Sequence, residues 1–409
     1  MMKLQVNVEI MIKMKNKTLM IVYFAIAFIG VAGCGLNIQK TESKINVLSL
    51  SEMQLALIDT IFFQSTMVIP LETNDSTFIQ NINRICLSND TLFVLDSKLG
   101  KVVMFDMEGR CVGKIHNVGN GPREYIQISD ICIHPLKKTI VLLCSQPYKI
   151  MYYTYLGEFI EEATYSDFYS EFFIQGDTLY CYDSGVMGKK KLGVFIYPME
   201  WKKNIDLETG LFFDAESKGE SYCFSKGKRM TVSSDMTFTW PFDYSIYSVR
   251  DGEIYEKYKI DLKEHQVPKS IFNANLSPLD FIDLCDEKKY LYTIENVVEN
   301  SDYLLFGTNK DIFVYDKDMY KLTGYSFIVN TVLQEGKVNY LSLNHPNLIV
   351  QVWQPSVFKR CINRRKERDG NLEKIDKQYL QVYESIVEED NPILVIYELP
   401  HLSLIHISE

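Results

Sequence analysis

A set of short apolar segments recurs along the chain at a spacing of 48 residues. The segments 92–95 and 101–105 are followed by Gly109, and a shift of 48 places them on 140–143, 149–153 and Gly157. A third copy opens at 177–183 with the same Asp-Thr-Leu-aromatic order, and looser copies lie at 244–252 and 303–316. Internal repeats of about 40–50 residues that contain several short strands are typical of β-propellers.

The composition of these segments favours strands over helices. Each has four to five residues, is rich in β-branched and aromatic side chains, and is bounded by Asp, Gly, Asn or Lys. The segments are apolar on both faces, whereas a strand of a β-sandwich more often has a polar outer face. A strand inside a propeller blade is covered on both sides by neighbouring blades. We therefore predict an all-β fold, a six-bladed β-propeller, although seven blades also fit the repeat length.

Two later segments refine this prediction. The segment 391–397 forms a clear last strand, which we expect to pair with strands from the N-terminal end of the domain and so close the ring. The polar segment 357–380 predicts a helical or looped insertion. Its basic residues are compatible with a phosphate or lipid-headgroup site, but the acidic residues among them favour a solvated insertion.

The N-terminus carries an export signal. Lys13, Lys15 and Lys17 precede an apolar run over 19–33, which is too short for a comfortable membrane span. The run ends in Val31, Ala32, Gly33 and Cys34, which resembles the lipobox of bacterial lipoproteins, where the cysteine is acylated and becomes the new N-terminus. Two or more acyl chains anchor a protein stably to a membrane. The predicted domains are a signal peptide (1–33), a lipidated N-terminus and tether (34–60), a propeller (61–400) and a tail (401–409).

The net charge limits the partners. The chain carries 43 Lys and Arg against 53 Asp and Glu, a net charge of −10. Nucleic-acid binding needs a surplus of basic residues on one face, so nucleic acid is not an expected partner. The expected partners are the membrane, through acyl chains on Cys34, and an envelope protein, peptide or glycan. The expected location is the cell envelope, with the side that the protein faces left open.

Several of these features together resemble a known family. The segments 119–125 (GNGPREY), 149–150, 243–247, 258–262 and 391–394, together with the lipobox, are similar to the six-bladed β-propeller lipoproteins of gut Bacteroidetes, which are related to NHL-type propellers. The resemblance implies the fold and the compartment and brings no assigned catalytic residues. Arg123 stands where that family has glycine after the Gly-Pro pair. The tail 402–409 resembles a translated sequencing adaptor, so we expect it to be non-native and to pack on nothing.

The sequence offers little evidence of catalysis or of a cofactor. No two of the six histidines are spaced as metal ligands on one element, and no nucleophile elbow or phosphate-binding loop is present. The cysteines after Cys34 lack a C-x-x-C pair, which favours mostly free thiols and leaves one disulfide open. Calcium in a central tunnel is the cofactor to consider, because aspartates recur near strand ends, although such residues more often cap turns. These are Asp96, Asp106, Asp130, Asp183 and Asp316.

A binding surface is the better functional prediction. Propellers gather loops from every blade at one face, and Asn120, Arg123, Glu124 and Tyr125 lie in the loop between the first two repeats. Trp240 is a candidate for stacking on a ligand, with packing between blades as an equal alternative. We predict a lipid-anchored, non-enzymatic binding protein. The alternatives are a propeller hydrolase or lyase with a tunnel-bound calcium ion, and a scaffold in an envelope complex.

Overall fold

The computed structural model describes residues 45–401 of the chain, apart from 135, 166, 177, 184–191, 199–208, 214–226, 251, 275, 337–338 and 371–374. The predicted signal peptide, the lipobox, Cys34 and the tail 402–409 lie outside the described residues. Residues 34–44 of the predicted tether also lie outside them.

The described part of the chain is built mainly of β-strands. It opens with β1 (Asn46–Gln54), β2 (Leu57–Ile58), a one-turn helix α1 (Asp59–Phe62) and β3 (Ser65–Pro70). Sheet I consists of β4 (Arg84–Ser88), β5 (Thr91–Asp96), β6 (Lys101–Asp106) and β7 (Cys111–Ile115). Sheet II consists of β8 (Gln127–His134), β9 (Thr139–Gln146), β10 (Tyr148–Thr154) and β11 (Phe159–Thr164). Sheet III consists of β12 (Glu171–Gln175), β13 (Thr178–Asp183), β14 (Leu192–Pro198) and β15 (Thr209–Phe213).

The second half of the chain repeats this pattern. Sheet IV consists of β16 (Met230–Val232), β17 (Met236–Thr239), β18 (Ser245–Arg250) and β19 (Glu253–Asp261). Sheet V consists of β20 (Glu295–Glu299), β21 (Tyr303–Gly307), β22 (Ile312–Asp316) and β23 (Lys321–Tyr325). After the short β24 (Ile328–Val329), sheet VI consists of β25 (Tyr340–Ser342), β26 (Leu348–Trp353), β27 (Ile393–Glu398) and β3.

The sheets are arranged in a closed cycle. The first strand of each sheet contacts the first strand of the next, in the order β4, β8, β12, β16, β20 and β25, and β25 contacts β4 again. The remaining strands of each sheet follow outward by antiparallel pairing. Antiparallel sheets arranged radially around a common centre are the architecture of a β-propeller. The prediction of an all-β propeller is confirmed.

Alternate residues of the inner strands pack into different interfaces, as their two-sided apolar pattern predicts. On β5, Leu92 and Val94 join the core between sheets VI and I, while Phe93 and Leu95 join the core between sheets I and II. All four side chains are fully buried. Burying one such side chain contributes roughly 1.5–3 kcal/mol, so each sheet is stabilised mainly by its two neighbours.

The repeat is also visible in the turns. Gly109 and Gly157, which are 48 residues apart, have φ angles of 82° and 83°. A Cβ atom on Gly109 would lie 2.0 Å from the carbonyl oxygen of Pro70. Both positions therefore require glycine because of their positive φ, and at Gly109 a side chain would also clash with Pro70.

The ring is closed by strands from the two ends of the domain. β27 pairs antiparallel with β3 over residues 393–398 and 65–70, so that Val395 lies opposite Val68. Sheet VI therefore contains the last strand of the chain and one of the first, as the sequence predicts. The closure leaves no gap in the cycle of sheets.

β1 differs from the predicted tether. Its first half pairs in parallel with β19 and its second half with β23, which joins sheets IV and V into one nine-stranded sheet. Leu48 and Leu50 are buried at alternate positions in the core between these sheets. The predicted tether over 34–60 is therefore wrong from residue 46 onward. Two leucines among polar residues gave too weak an alternation to reveal this strand.

Three longer helices are inserted between strands. α2 (Pro278–Lys288) follows Ser277, whose hydroxyl accepts a hydrogen bond from the Asp280 amide as an N-cap. α3 (Pro355–Asp369) and α4 (Lys377–Ser385) form the predicted insertion, and Phe358, Ile362 and Val382 are among their residues in the core beside sheet VI. Two of the basic side chains, Lys359 and Arg365, donate hydrogen bonds to backbone carbonyls of neighbouring segments.

No helix in the described part of the chain is both long and apolar enough to cross a bilayer.

The closure yields a testable prediction. Ile69 lies on β3, the outermost strand of sheet VI, and is buried against sheet I, whereas Ile160 lies on β11, the outermost strand of sheet II, and is about half exposed. We expect Ile69→Lys to lower the free energy of unfolding by at least about 3 kcal/mol, because it buries an unpaired charge at the closure. Ile160→Lys should change it by less than about 1 kcal/mol. Guanidinium denaturation measures both, and equal effects of the two variants would show that β3 does not close the ring.

Candidate functional site

The centre of the ring contains a buried cluster of charged groups around Arg84. The Arg84 Nε lies 2.6 Å from Asp130 Oδ1, and its Nη2 lies 3.1 Å from Glu171 Oε2. Both Nη atoms also donate to the carbonyl oxygen of Met230 at 3.2 Å. Lys228 Nζ approaches Asp130 Oδ1 at 3.3 Å. One guanidinium thus connects the inner strands of sheets I to IV.

This cluster arises because several inner strands begin with a charged residue. Arg84, Glu171 and Glu295 are the first residues of β4, β12 and β20, so all three lie at the same end of the ring. We call this end, at which the inner strands begin, the mouth end. The rest of each strand is largely apolar and packs between sheets, while its first residue lies toward the centre of the ring, which we call the channel.

The charges in the cluster compensate each other. Burial alone would lower the pKa of Arg84, but the adjacent carboxylates of Asp130 and Glu171 outweigh it and raise that pKa. Arg84 therefore stays charged, and its Nε, Nη1 and Nη2 atoms each donate to a carboxylate or carbonyl oxygen. Removing one partner of such a buried ion pair strongly destabilises the folded protein, because the other charge is left uncompensated.

The pKa of the Glu295 carboxyl, at the mouth end, is strongly shifted. Burial raises its pKa to about 7, although the Arg229 guanidinium and the Gly227 amide oppose this shift. Its side chain is 8% exposed. At neutral pH this carboxyl is therefore partly protonated.

Two adjoining cavities lie at the mouth end beside sheet V, and we call them together the mouth groove. The first has a volume of about 440 Å³, and its walls include Leu55, Glu295, Asp311, Ile312, Phe327 and Tyr340. The second has a volume of about 380 Å³, and its walls include Met53, Glu52, Lys263, His265 and Lys289. Lys310, Asp311 and Ser326 line both.

Asp311 stands on the wall shared by the two cavities. Its backbone is fixed by Thr308, whose hydroxyl accepts from the Asp311 amide at 2.9 Å, while the Thr308 amide donates to the Asp311 carbonyl at 2.8 Å. The residue is 8% exposed. Burial raises the pKa of its carboxyl, and the nearby cations Lys310, His265 and Lys289 only partly offset this.

Two of the four candidate residues in the predicted binding loop 119–125 have a structural role. Tyr125 is fully buried, and its hydroxyl donates to the carbonyl oxygen of Gly100 at 3.0 Å. Glu124 Oε2 accepts from the Gly121 amide at 2.7 Å. These two side chains hold the loop together, because each forms a hydrogen bond with a backbone group. The ligand-binding role predicted for Tyr125 is therefore corrected to a structural one.

Arg123 and Asn120 remain accessible in this loop. Arg123 has a φ of 64°, the left-handed conformation that explains why the similar propellers have glycine there. Its guanidinium lies 5.1 Å from the centroid of the Phe159 ring. Neither residue lines the mouth groove, so the structure does not bring the predicted loop and the cavities together.

Trp240 is a packing residue. Its side chain is 3% exposed, and its ring lies 5.1 Å from that of Tyr182, between sheets III and IV. Of the two equal alternatives for Trp240, the structure supports packing between sheets, because the ring is buried.

The aspartates considered for calcium serve other purposes. The carboxylates of Asp96, Asp106 and Asp316 accept hydrogen bonds from backbone amides of the following turns. Asp130 faces the channel but is already in contact with two cations, Arg84 and Lys228. Asp183 is fully buried. Within the described residues, no group of three or more His, Cys, Asp or Glu is arranged to hold a metal ion.

The described cysteines are free thiols, as the sequence favours. They are Cys86, Cys111, Cys132, Cys144, Cys181, Cys285 and Cys361. Most are buried, and burial raises the pKa of Cys86 to about 11 and that of Cys132 to about 12. Such thiols are unreactive and act as small apolar side chains.

Sequence reasoning missed Arg84, Glu295 and Asp311. A signal for the first two was present, because each is a charged residue at the start of an otherwise apolar strand, and the repeat places such starts together. Asp311 gave no signal of its own, since it resembles any aspartate next to a strand.

Glu295 yields a prediction about pH. The folded-state pKa of this carboxyl is raised from 4.5 to about 7, so the free energy of unfolding falls as the pH rises between these values. Between pH 5 and pH 8 we therefore expect the wild type to lose up to about 3 kcal/mol of unfolding free energy relative to Glu295→Gln. Urea denaturation at both pH values measures this, and parallel pH profiles of the two proteins would contradict it.

Solved structures of other proteins are similar to this chain. A Bacteroides fragilis NCTC 9343 protein described as exported is 19% identical, with a TM-score of 0.65 over 87% of this chain and 100% of that one. A member of the DUF4221 family from Bacteroides vulgatus is 10% identical, with a TM-score of 0.45 over 83% and 97%. The β-propeller domain of Cps50 (Swd1) from Myceliophteria thermophila is 12% identical, with a TM-score of 0.37 over 70% and 95%.

At 19% identity the first of these likenesses shows the fold alone. No curated protein matches the chain. The profile of a family defined as a domain of unknown function, DUF4934, matches residues 42–398. The chain therefore belongs to the DUF4934 family.

Proposed function

We propose that the protein is a six-bladed β-propeller, anchored to the cell envelope by lipid on Cys34, that binds an envelope protein, peptide or glycan without catalysis. The mouth groove is the binding site in this proposal. The six sheets would be the six blades, since each has its own inner strand in the closed cycle.

The observation that carries the binding role is the mouth groove itself. Its first cavity, of about 440 Å³, is within the usual range of small-ligand sites, and its walls combine apolar side chains with a few polar groups. It lies where segments of sheets V and VI and the end of β1 meet, as expected for a propeller face that gathers loops.

Export and lipid anchoring are supported by the sequence. The basic and apolar segments before Val31, Ala32, Gly33 and Cys34 have the order of a lipoprotein signal. The similar Bacteroides fragilis protein is described as exported. The acidic net charge of −10 supports a partner other than nucleic acid.

The calcium-dependent hydrolase remains a weaker alternative. A tunnel ion would need carboxylates that are free to ligate it, but Arg84 and Lys228 already neutralise Asp130 at the centre. A metal assay of the purified protein, with hydrolytic activity measured before and after chelation, tests it. Stoichiometric calcium that is lost together with activity would establish the alternative.

The groove is tested by a substitution that fills it. Ser326 is exposed and lines both cavities, so Ser326→Trp should block them without disturbing the core. Ser301→Trp is the matched control, because Ser301 is exposed in the β20–β21 turn at the opposite end of the same sheet. Immobilised chains beginning at residue 35 are exposed to envelope protein and polysaccharide fractions of Bacteroides. We expect wild type and Ser301→Trp to retain the same material saturably and Ser326→Trp to lose at least about nine-tenths of it, roughly tenfold.

Two outcomes would contradict the proposed site. Equal retention by Ser326→Trp and wild type would show that binding occurs elsewhere. Absence of saturable retention by the wild type would argue against a binding function toward these partners.

The anchor is tested by metabolic labelling with radioactive palmitate in a Bacteroides host. We expect the wild type to incorporate label, and Cys34→Ser to incorporate none, because the thiol carries the lipid. Cys111→Ser is the control, since Cys111 is a half-buried free thiol of β7. Label in Cys34→Ser, or its loss in Cys111→Ser, would be inconsistent with acylation at Cys34.

A further inference from the structure

Asp311 is largely buried and lines the groove, and no described residue donates a hydrogen bond to its carboxylate. Within the part of the chain that the structure describes, its side chain accepts no hydrogen bond and forms no ion pair, although the residue is 8% exposed. The buried carboxylates of the channel differ, since Asp130 and Glu171 are each bonded to Arg84. A buried carboxylate without a partner is costly. A ligand that brings a charged donor to Asp311 would offset this cost.

The other walls of the first cavity combine apolar side chains with one carboxyl, neutral polar groups and Lys310. Leu55 is 75% exposed, and the side chains of Ile312 and Phe327 line the same space. Glu295 supplies a second carboxyl. A partly apolar cavity that contains carboxyl groups fits a cation that is carried on an apolar stem.

The basic groups near Asp311 lie mostly on the side of the second cavity. Lys263, Lys289 and His265 line the second cavity and not the first. Lys310 lines both, but its Nζ is 3.0 Å from Asp286 Oδ1. These lysines are exposed, so their charges are screened by solvent. The first cavity is therefore the acidic side of the groove.

We propose that the first cavity binds an organic cation, a primary ammonium or guanidinium group on an apolar stem, with the charge against Asp311 and the stem against Phe327 and Leu55. Lysine and arginine side chains of a peptide have this chemistry. The inference rests on the proposed function, because it names the ligand class of the same groove. A neutral polyol such as a sugar would also donate to Asp311, but it would leave the negative charge of the carboxylate uncompensated.

The test compares a cation with its neutral analogue of the same shape. Binding of n-butylguanidinium and n-butylurea to the chain from residue 35 is measured by titration calorimetry. Both ligands present N–H donors and the same stem, and they differ in charge. We expect the guanidinium to bind at least about tenfold more tightly than the urea, since charge-assisted hydrogen bonds are roughly twice as strong as neutral ones.

Two matched variants assign the effect to Asp311. Asp311→Asn keeps an acceptor but removes the charge, and it should reduce the preference for guanidinium to less than about threefold. Asp316→Asn is the control. Asp311 immediately precedes β22, whereas Asp316 is the last residue of that strand and caps a turn away from the groove. It should bind as the wild type does. Ser326→Trp leaves Asp311 in place and should abolish binding of both ligands. It provides the test of the site if Asp311→Asn does not fold.

The outcomes separate this inference from the proposed function. Equal affinities of the two ligands for the wild type, an unchanged preference in Asp311→Asn, or absence of saturable guanidinium binding would overturn the cation assignment. If Ser326→Trp still abolishes retention of envelope material in that case, the groove stands as the binding site and only the ligand class is wrong. If it does not, both proposals fail.

Discussion

The pairing of β3 with β27 is the contact on which the rest of the structure depends. The sheets carry apolar residues on both faces, so each must be covered by a neighbour on either side. A row of such sheets would leave two faces exposed to water. Closing the row into a ring removes both, because β3 completes sheet VI and Ile69 and Leu394 then pack against Ile85 and Leu92 of sheet I.

Closure also explains where the polar groups lie. The inner strands begin at one end of the ring, so the charged first residues Arg84, Glu171 and Glu295 are brought to the same mouth. Arg84 pairs with Asp130 and Glu171 there, and Lys228 also contacts Asp130, so nearby cations compensate these buried carboxylates. Beside it, the end of β1 and the loops of sheets V and VI leave space, and Asp311 on that wall has no such partner. The carboxylates of Asp130 and Glu171 thus have partners within the ring, whereas no described residue donates a hydrogen bond to the Asp311 side chain.

The sequence predicted the features that repeat and missed those that occur once. The strands at 92–95 and 140–143 could be predicted because a 48-residue period and a two-sided apolar pattern both point to them. β1 was missed, since it joins two outer strands by backbone hydrogen bonds that leave little trace in side chains. The sequence predicts ligand contact for Tyr125 and leaves Trp240 open between stacking and packing, because an aromatic residue in a loop looks the same in the sequence whether it faces solvent or the core. Asp311 could not be singled out from the sequence, because its burial arises only in the folded ring.

The closed ring is tested most directly by native-state hydrogen exchange. The amides of β3 lie at the outer edge of sheet VI and close to the N-terminal side of the domain, so an unclosed ring would let them open locally. The account predicts that the hydrogen-bonded amides of β3 exchange with the same free energy of opening as those of β5 and β27, in one global event. Exchange of β3 in a separate step of much lower free energy, with β5 still protected, would contradict it.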